Sequence, residues 1–483
     1  MREYFGIDFG TTNSAVIGNL GRHSTRYGVD DEQPFPSLVA VNRTTGTVQA
    51  VGRDVFDNRQ QLAESCRIFS SAKMHLGDGK SERIGPETWT PERVVSEVLR
   101  GLKDCVATRS NGVCLEDPVI AIPVGFSPTK RKALREAALE AGINIRGFVS
   151  EPTAAVFRSR EDIQQFSHIV VFDWGGGTLD ISVVNIQGNI VREIATVPKS
   201  LGGDDLDRIL AEWAHAQILS QKGGSKLPFS GMDSRDQDML LAACEEAKRK
   251  IADRDMVAIS LQRYGEFGSV DLVLTDEEFI SLMQPKIDEA LATLEEGVIY
   301  RARLSFDQVH ILMVGGSSKL KGLRDAMARR GWGNFSLPAD SDWHVADGAA
   351  RLASSFGAYI SSQNVGVKLC DDTVFPLIST GQTVDHGKQS ATFGLLEDTN
   401  NARFVFVESR DGTDGRLTSM DRTLGYLAVP AFGFTNEPIH LETHIDENLL
   451  LHVTARSQSR AERHERHWTY PELCFSYALP ETT

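Results

Sequence analysis

Gly6-Ile7-Asp8-Phe9-Gly10-Thr11-Thr12-Asn13-Ser14-Ala15-Val16 opens the chain, and Val171-Phe172-Asp173-Trp174-Gly175-Gly176-Gly177-Thr178-Leu179-Asp180-Ile181-Ser182-Val183 follows about 165 residues later. The two are versions of one pattern: apolar strand, aspartate, aromatic residue, a turn rich in glycine or threonine, second apolar strand. A turn of this composition lets backbone N–H groups approach phosphate oxygens closely, and threonine hydroxyls add further donors. An aspartate ending the first strand of each hairpin can hold the water shell of a divalent ion, since Mg²⁺ keeps several waters and touches only one or two carboxylates. Taken singly, Asp-x-Gly-Thr is also an ordinary β-turn. The repetition argues for a site, and it predicts two similar lobes facing a cleft.

The rest of the chain is consistent with a large protein built around such a cleft. At 483 residues it exceeds the roughly 250–300 that one hydrophobic core supports, so at least two domains are expected. Lys and Arg number 51 against 66 Asp and Glu, a net charge of −15. That field disfavours nucleic acid and anionic membrane as main partners. The start, Met1 to Phe9, carries a charge too early and too short an apolar core for a signal peptide, and no apolar run reaches the roughly 20 residues of a membrane span. A cytoplasmic protein is expected. The six cysteines, Cys66, Cys105, Cys114, Cys244, Cys370 and Cys474, form no C-x-x-C pair and are read as buried reduced thiols.

Up to about residue 360, short β-branched runs mix with long helical segments, among them Pro128–Ala141, Asp205–Leu219, Arg235–Arg254 and Glu277–Leu304, the texture of an α/β architecture. From Val365 the pattern becomes short alternating strands, including Arg403–Glu408, Ile439–Asp446, Leu449–Ala455 and a last strand Trp468–Leu479. Ser361-Ser362-Gln363-Asn364 is the polar joint between the two textures. Within the first part, Val309–Val314 leads into Gly315-Gly316-Ser317-Ser318-Lys319 and a helical stretch from about Leu320, a strand–glycine–helix junction suited to the polar edge of a nucleotide. On Arg235–Arg254, Leu240, Cys244, Ala247 and Ile251 share one face while Glu245, Lys248 and Arg249 cluster on another. No Walker A sequence is present, and Gly175-x-Gly177 lacks the last glycine of a dinucleotide fingerprint. His464 and His467 have metal-like spacing without a third ligand and are read as surface residues.

Together these stretches resemble the heat-shock protein 70 chaperone family of the actin-like ATPase superfamily. Ile7–Ser14 and Phe172–Asp180 resemble its two phosphate loops, Val314–Ser318 its adenosine loop, and Glu151-Pro152-Thr153-Ala154-Ala155 and Gly202-Gly203-Asp204-Asp205-Leu206-Asp207 two further signatures. The resemblance implies an α/β actin-like ATPase domain of two similar lobes (duplicated βββαβα-type units), about 1–168 and 169–360. After the joint 361–364 it implies an all-β sandwich over 365–483 with no helical lid.

It further implies ATP hydrolysis to ADP with Mg²⁺ and a monovalent ion such as K⁺. Catalytic roles fall to Lys73, Glu151, Asp173, Thr178 and Asp180, and Asp8, Asp173 and Asp180 surround the metal. The nucleotide is held by Gly10, Thr11, Thr12, Asn13, Gly175, Gly176, Gly177, Thr178, Gly202, Gly203, Glu245, Lys248, Arg249, Gly315, Gly316, Ser317, Lys319 and Asp342. Lys319 stands where the family usually has arginine, and Ala252 replaces a usual serine. Pro123 and Arg131 match residues that relay nucleotide state, and Asn448 takes a turn position where glycine is preferred, an exchange a left-handed turn tolerates.

The implied partners are extended apolar peptide segments of unfolded or partner proteins, a J-domain co-chaperone and a nucleotide-exchange factor. Arg403, or Phe404 with a register shift of one, falls at the apolar peptide pocket, and the family's apolar linker is missing. Those departures leave a second reading open, a nucleotide-dependent regulatory module with little hydrolysis and one dedicated partner.

Overall fold

The computed structural model describes all residues except 1, 22, 29–32, 111, 224–226, 397–398, 410–420, 461–463 and 481–483. The chain divides into two compact units, one formed by residues 1–125, 133–187 and 193–355, the other by 126–132, 188–192 and 356–483.

In the first unit both quoted stretches form antiparallel hairpins. Tyr4–Asp8 pairs with Asn13–Leu20, and His168–Trp174 pairs with Leu179–Gln187. Each hairpin is extended in the same way. The first sheet runs Gly147–Ser150, Val119–Ile122, Tyr4–Asp8, Asn13–Leu20, His23–Arg26. The second runs Phe335–Ser336, His310–Val314, His168–Trp174, Leu179–Gln187, Ile190–Lys199. In both, the strand beside the hairpin's first strand is parallel to it. The central strands are apolar almost throughout, as strands covered on both faces must be, and Ile7, Val119, Ile120, Val170 and Val171 are fully or almost fully buried.

The long helices form where the apolar periodicity places them, at Pro128–Glu140, Gly203–Lys222, Ser234–Ile251 and Asp276–Glu295. The last continues as a π-helical turn over Glu296–Arg301 rather than as one α-helix to Leu304. After Val314 the chain makes a 3₁₀ turn, Gly316–Lys319, and the α-helix begins only at Leu323, because Gly322 adopts φ +89.

The second unit holds two four-stranded antiparallel sheets. One is ordered Val374–Ile378, Asn364–Lys368, Asn401–Ser409, Arg422–Pro430, the other Gln389–Gly394, Pro438–Ile445, Leu451–Ser457, Arg466–Tyr470. Alternate side chains of both enter one core that includes Phe404, Phe406, Leu441 and Val453. The expected single strand Trp468–Leu479 is two. Pro471 cannot donate to a ladder, and the chain leaves Arg466–Tyr470 to form a separate strand, Phe475–Ala478. That strand pairs on one side with Ala358–Ser361 and on the other with Ile190 and Val191.

The joint is tied into these ladders. Ser361 N donates to Gln382 O, Ser362 N to Cys474 O, and the Gln363 side chain accepts from Cys474 N and donates to Glu408. The left-handed turn residue is Leu449 (φ 60), not Asn448. Asp446 holds that turn by accepting from Asn448 N and Leu450 N, while the Leu449 side chain is buried in the core.

All six cysteines are free thiols, but only Cys66 and Cys244 are buried; Cys114, Cys370 and Cys474 are exposed and Cys105 is intermediate, which corrects the expectation that all are interior. Among the described residues no helix is long and apolar enough to cross a membrane.

Candidate functional site

The turns of the two hairpins meet within the first unit. A Cβ on Gly176 would stand 2.4 Å from Thr12 Oγ1, and one on Gly177 would stand 3.3 Å from Thr11 Cγ2, so bare glycine backbone faces the threonines of the other turn. Behind Gly176 lies Gly202, where a Cβ would stand 2.2 Å from the Gly176 carbonyl oxygen. Gly203 N donates to Gly175 O (3.0 Å) and Asp204 N to Gly176 O (2.8 Å), which fastens the second turn to the start of helix Gly203–Lys222. The first turn is braced by Ser37, whose N donates to Thr12 O and whose hydroxyl donates to Gly10 O; Asn13 then begins the second strand. Thr12 Oγ1 is itself buried with no hydrogen-bond partner. A buried unpaired hydroxyl in a glycine-lined turn is the kind of group a ligand oxygen satisfies.

At the strand ends beside the turns lies an acidic cluster in which Glu151 is buried and Asp8, Asp173 and Asp180 are half-buried. Asp173 and Asp180 are directly opposed across the second hairpin, a pairing of like charges that costs stability. In the first hairpin the residue opposite Asp8 is Ala15. Burial, reinforced by Glu151, pushes the Asp8 carboxyl up to about 7 against the opposing pull of Lys73. Burial together with Glu151, Asp8 and Asp180 raises Asp173 well above the usual carboxylate range. Asp180 is pushed up to about 6 by burial and Glu151, although the Thr178 hydroxyl bonded to it works the other way.

Lys73 is the counter-charge, donating to Glu151 Oε1 at 3.0 Å with both side chains buried. Burial alone would lower its pKa, but Glu151, Asp8 and Asp180 outweigh that and raise it. Four carboxylates around one ammonium leave the cluster short of positive charge, and such a donor set fits a hydrated hard cation. Among the described residues no group of three or more His, Cys, Asp or Glu is arranged to hold a metal directly.

Of the other expected residues, Lys248 and Ser317 lie beside Gly203. Lys248 Nζ donates to Gly203 O (2.9 Å) and to Asp207 (2.8 Å). Ser317 Oγ donates to Gly175 O (2.9 Å), linking the Gly315–Lys319 turn to the second hairpin. Gly315 takes φ +81, and a Cβ on Gly316 would stand 2.9 Å from Asp342 Oδ1. Lys319 pairs with Asp342 through Nζ and Oδ2. Arg249 donates to Glu245 at 2.6 Å, and its guanidinium carbon lies 5.8 Å from the centre of the Phe56 ring.

Two supporting residues escaped the sequence reading, Ser37 under the first turn and Phe56 by Arg249, and Asp207, quoted there only within a signature, turns out to pair with Lys248. Only Asp207 left a signal, since it lies four residues after Gly203 and so on the same helix face.

In the second unit the strand Asn401–Ser409 settles the register question. Phe404 points into the core and Arg403 points away from it, with its guanidinium 4.3 Å from the centre of the exposed Tyr426 ring. Arg131 Nε donates to the carbonyl of Asn448 (2.7 Å) and Nη1 to Phe126 O (2.9 Å). Pro123 follows the strand Val119–Ile122.

Against known families, the sequence model described as Hsp70 protein matches residues 49–471. The matched span takes in Lys73, Glu151, the second hairpin, the Gly315–Lys319 turn and both sheets of the second unit, while the first hairpin lies ahead of it. Members of that family bind ATP and ADP with Mg²⁺ in general, are generally ATPases, and act on client polypeptides with co-chaperones. A match over most of the chain makes this protein a member of the Hsp70 family, with a function of the nucleotide-binding chaperone type.

Proposed function

We propose that the first unit is an ATPase of two actin-like lobes and that it hydrolyses ATP between the two hairpin turns. The observation that carries this reading is the approach of Gly176 to Thr12 beside the half-buried Asp8, Asp173 and Asp180 and the buried Glu151. The turns' backbone N–H groups and the hydroxyls of Thr11, Thr12 and Thr178 cradle the phosphates. Asp8, Asp173 and Asp180 would hold a hydrated divalent ion. Mg²⁺, when bound, neutralises phosphate charge, and K⁺ fits the remaining negative charge. Lys73, fixed by Glu151, orients the attacking water. Catalysis of this kind is positioning and electrostatics, and no side chain needs to be a covalent nucleophile.

In the second unit the two-sheet domain takes short extended apolar peptide segments by backbone pairing. A J-domain co-chaperone and a nucleotide-exchange factor are the further partners of this reading. The test follows the γ-phosphate of labelled ATP with and without unfolded protein. Free phosphate released faster with unfolded protein is the expected result; transfer of label to a small molecule, or no turnover at all, contradicts it.

One observation favours the second reading, a regulatory module with a single dedicated partner. Arg403 lies over Tyr426 on the strand face turned from the core, and it replaces an apolar surface with a cationic one. Under that reading phosphate release is slow and unfolded protein leaves it unchanged.

A further inference from the structure

We propose that His444 and His452, on the outer face of a sheet in the second unit, chelate a divalent transition-metal ion of the Ni²⁺, Cu²⁺ and Zn²⁺ group, with water completing its shell.

The two residues are direct partners across the strands Pro438–Ile445 and Leu451–Ser457. Their chain neighbours Thr443, Ile445, Leu451 and Val453 are buried, so strand alternation turns both histidines to the opposite face, where each is half-buried. The imidazole rings stand 4.8 Å apart between centres and within 10° of parallel. Directly opposed residues carry Cβ atoms about 4.5–5.5 Å apart. An ion bonded to two imidazoles at about 2.0–2.1 Å needs their nitrogens about 3–3.5 Å apart, which side chains rooted this closely can reach. Nearly parallel rings do not aim both lone pairs at one point, so one ring has to turn. His444 is free to do so, because no side-chain hydrogen bond holds it among the described residues and the ring torsion of histidine is broad.

His452 is already oriented as a ligand must be. Its Nε2 lies 3.2 Å from Asp446 Oδ2, and an ionised carboxylate only accepts, so Nε2 carries the hydrogen and the neutral ring keeps its lone pair on Nδ1. A carboxylate on the far nitrogen of a ligating imidazole fixes the ring and raises its basicity. Asp446 is fixed in turn, its Oδ1 accepting from Asn448 N and Leu450 N, both at 2.9 Å. Lys388, the ammonium that reaches this face, is paired with Glu442 at 2.7 Å. The His452 and Asp446 side chains are 30% and 27% exposed, which leaves water access to the ion. Imidazole suits ions of this group, whereas Mg²⁺ takes oxygen ligands, so the acidic cluster of the first unit and this pair would not compete for one metal.

Titration calorimetry of the full chain with Ni²⁺, in excess Mg²⁺ to occupy the carboxylates of the first unit, tests this. His467→Ala serves as the control, since His467 lies opposite Thr454 on the next strand. The expected outcome is one equivalent of Ni²⁺, with a Kd raised at least about tenfold by His444→Ala and by His452→Ala and left unchanged by His467→Ala. Nickel-edge X-ray absorption of the wild-type complex needs no variant and should count two imidazoles with oxygen for the rest. No binding of Ni²⁺ overturns the proposal. So does a Kd that His444→Ala leaves unchanged or that His467→Ala raises equally, and so does a shell with a single imidazole or with sulfur from an exposed thiol.

Discussion

Lys73 Nζ donates to Glu151 Oε1 at 3.0 Å with both side chains buried, joining the 3₁₀ turn Ala72–His75 to the first residue of helix Glu151–Ile163. Removing one partner of a buried pair strands the other's charge, at a cost of about 3–5 kcal/mol. Lys73→Ala is therefore expected to destabilise the protein by that order and, if the lysine orients water, to slow single-turnover phosphate release by about 10²-fold. Thr178→Ala should slow release without the stability loss of Lys73→Ala. Rapid-quench measurement of both variants is the check, and wild-type release in each rules out the catalytic assignment.

The contact between Gly202 and Gly176 predicts a steep contrast between neighbouring glycines. A Cβ at Gly202 would lie 2.2 Å from a backbone oxygen, whereas one at Gly175 meets nothing closer than Thr178 O at 3.6 Å. Gly202→Ala must displace the Gly175–Thr178 turn, so a stability loss of about 1–3 kcal/mol is expected, with loss of ADP binding if that turn cradles the phosphates. Gly175→Ala should keep wild-type stability to within about 1 kcal/mol. Thermal denaturation with and without Mg²⁺-ADP distinguishes the pair.

The acidic cluster sets a pH dependence whose sign follows from the raised carboxyls. Asp8 titrates near 7 and Asp180 near 6 in the fold, against 3.8 for an ordinary aspartate. Between about pH 4 and 7 the folded protein then holds more protons than the unfolded chain, so these groups make stability fall as pH rises through that window. Asp340, held below the usual range chiefly by the nearby His344, whose Nδ1 lies 3.8 Å from its carboxylate, contributes the opposite slope at lower pH. The informative quantity is thus a difference. Without nucleotide, Asp8→Asn should gain melting temperature over wild type at pH 8 and lose that advantage at pH 5. An advantage that grows on acidification contradicts the assignment.

Tyr477 holds the strand Phe475–Ala478 against the joint strand Ala358–Ser361. Its hydroxyl accepts from Gly357 N at 3.0 Å, and its ring meets Phe356 and Tyr359 edge-on at 6.0 and 5.1 Å. Tyr477→Ala removes these contacts at once, a change of about 3–5 kcal/mol for a buried aromatic. Amide exchange at residues 358–361 and 190–191 should accelerate by at least about 10²-fold, while exchange in the core strand Leu451–Ser457 stays at its wild-type rate. Mass-spectrometric exchange reads both segments in one experiment.

Leu449 sets two effects against each other. Its left-handed backbone costs about 1–2 kcal/mol for a residue with a Cβ, yet burying a leucine side chain contributes about 1.5–3 kcal/mol. Burial wins, so Leu449→Gly is expected to destabilise slightly, by about 1 kcal/mol, despite relieving the strain. A stabilised glycine variant in urea denaturation would show that the strain outweighs the packing.

The hairpins were legible because everything that forms them is local: apolar alternation, glycine and threonine in the turn, an aspartate at the strand end. The burial of Lys73 was not, since it depends on a carboxylate 78 residues further on. Register was equally hard to read around Arg403 and Phe404, where one residue's shift exchanges the two faces and only cross-strand pairing with Ala428 and Leu427 decides. The break at Pro471 was readable in principle, because a proline inside a strand pattern marks an edge or an end. The left-handed Leu449 was not, because nothing in a leucine's chemistry asks for that conformation, and it is held there by Asp446 and by the core.

The pairing of Phe475–Ala478 with Ile190 and Val191 also dictates an order of events during synthesis. The two partners are about 290 residues apart in the chain. At roughly 5–20 residues per second, a ribosome needs about 15–60 seconds to deliver the second after the first. For that interval Ile190 and Val191 lack the neighbour they have in the finished ladder, and from its own emergence so does the joint strand Ala358–Ser361. Unpaired edges of this kind invite pairing with other chains. A protein of a chaperone family thus carries, in its own ladder, a nascent segment that itself stands in need of protection.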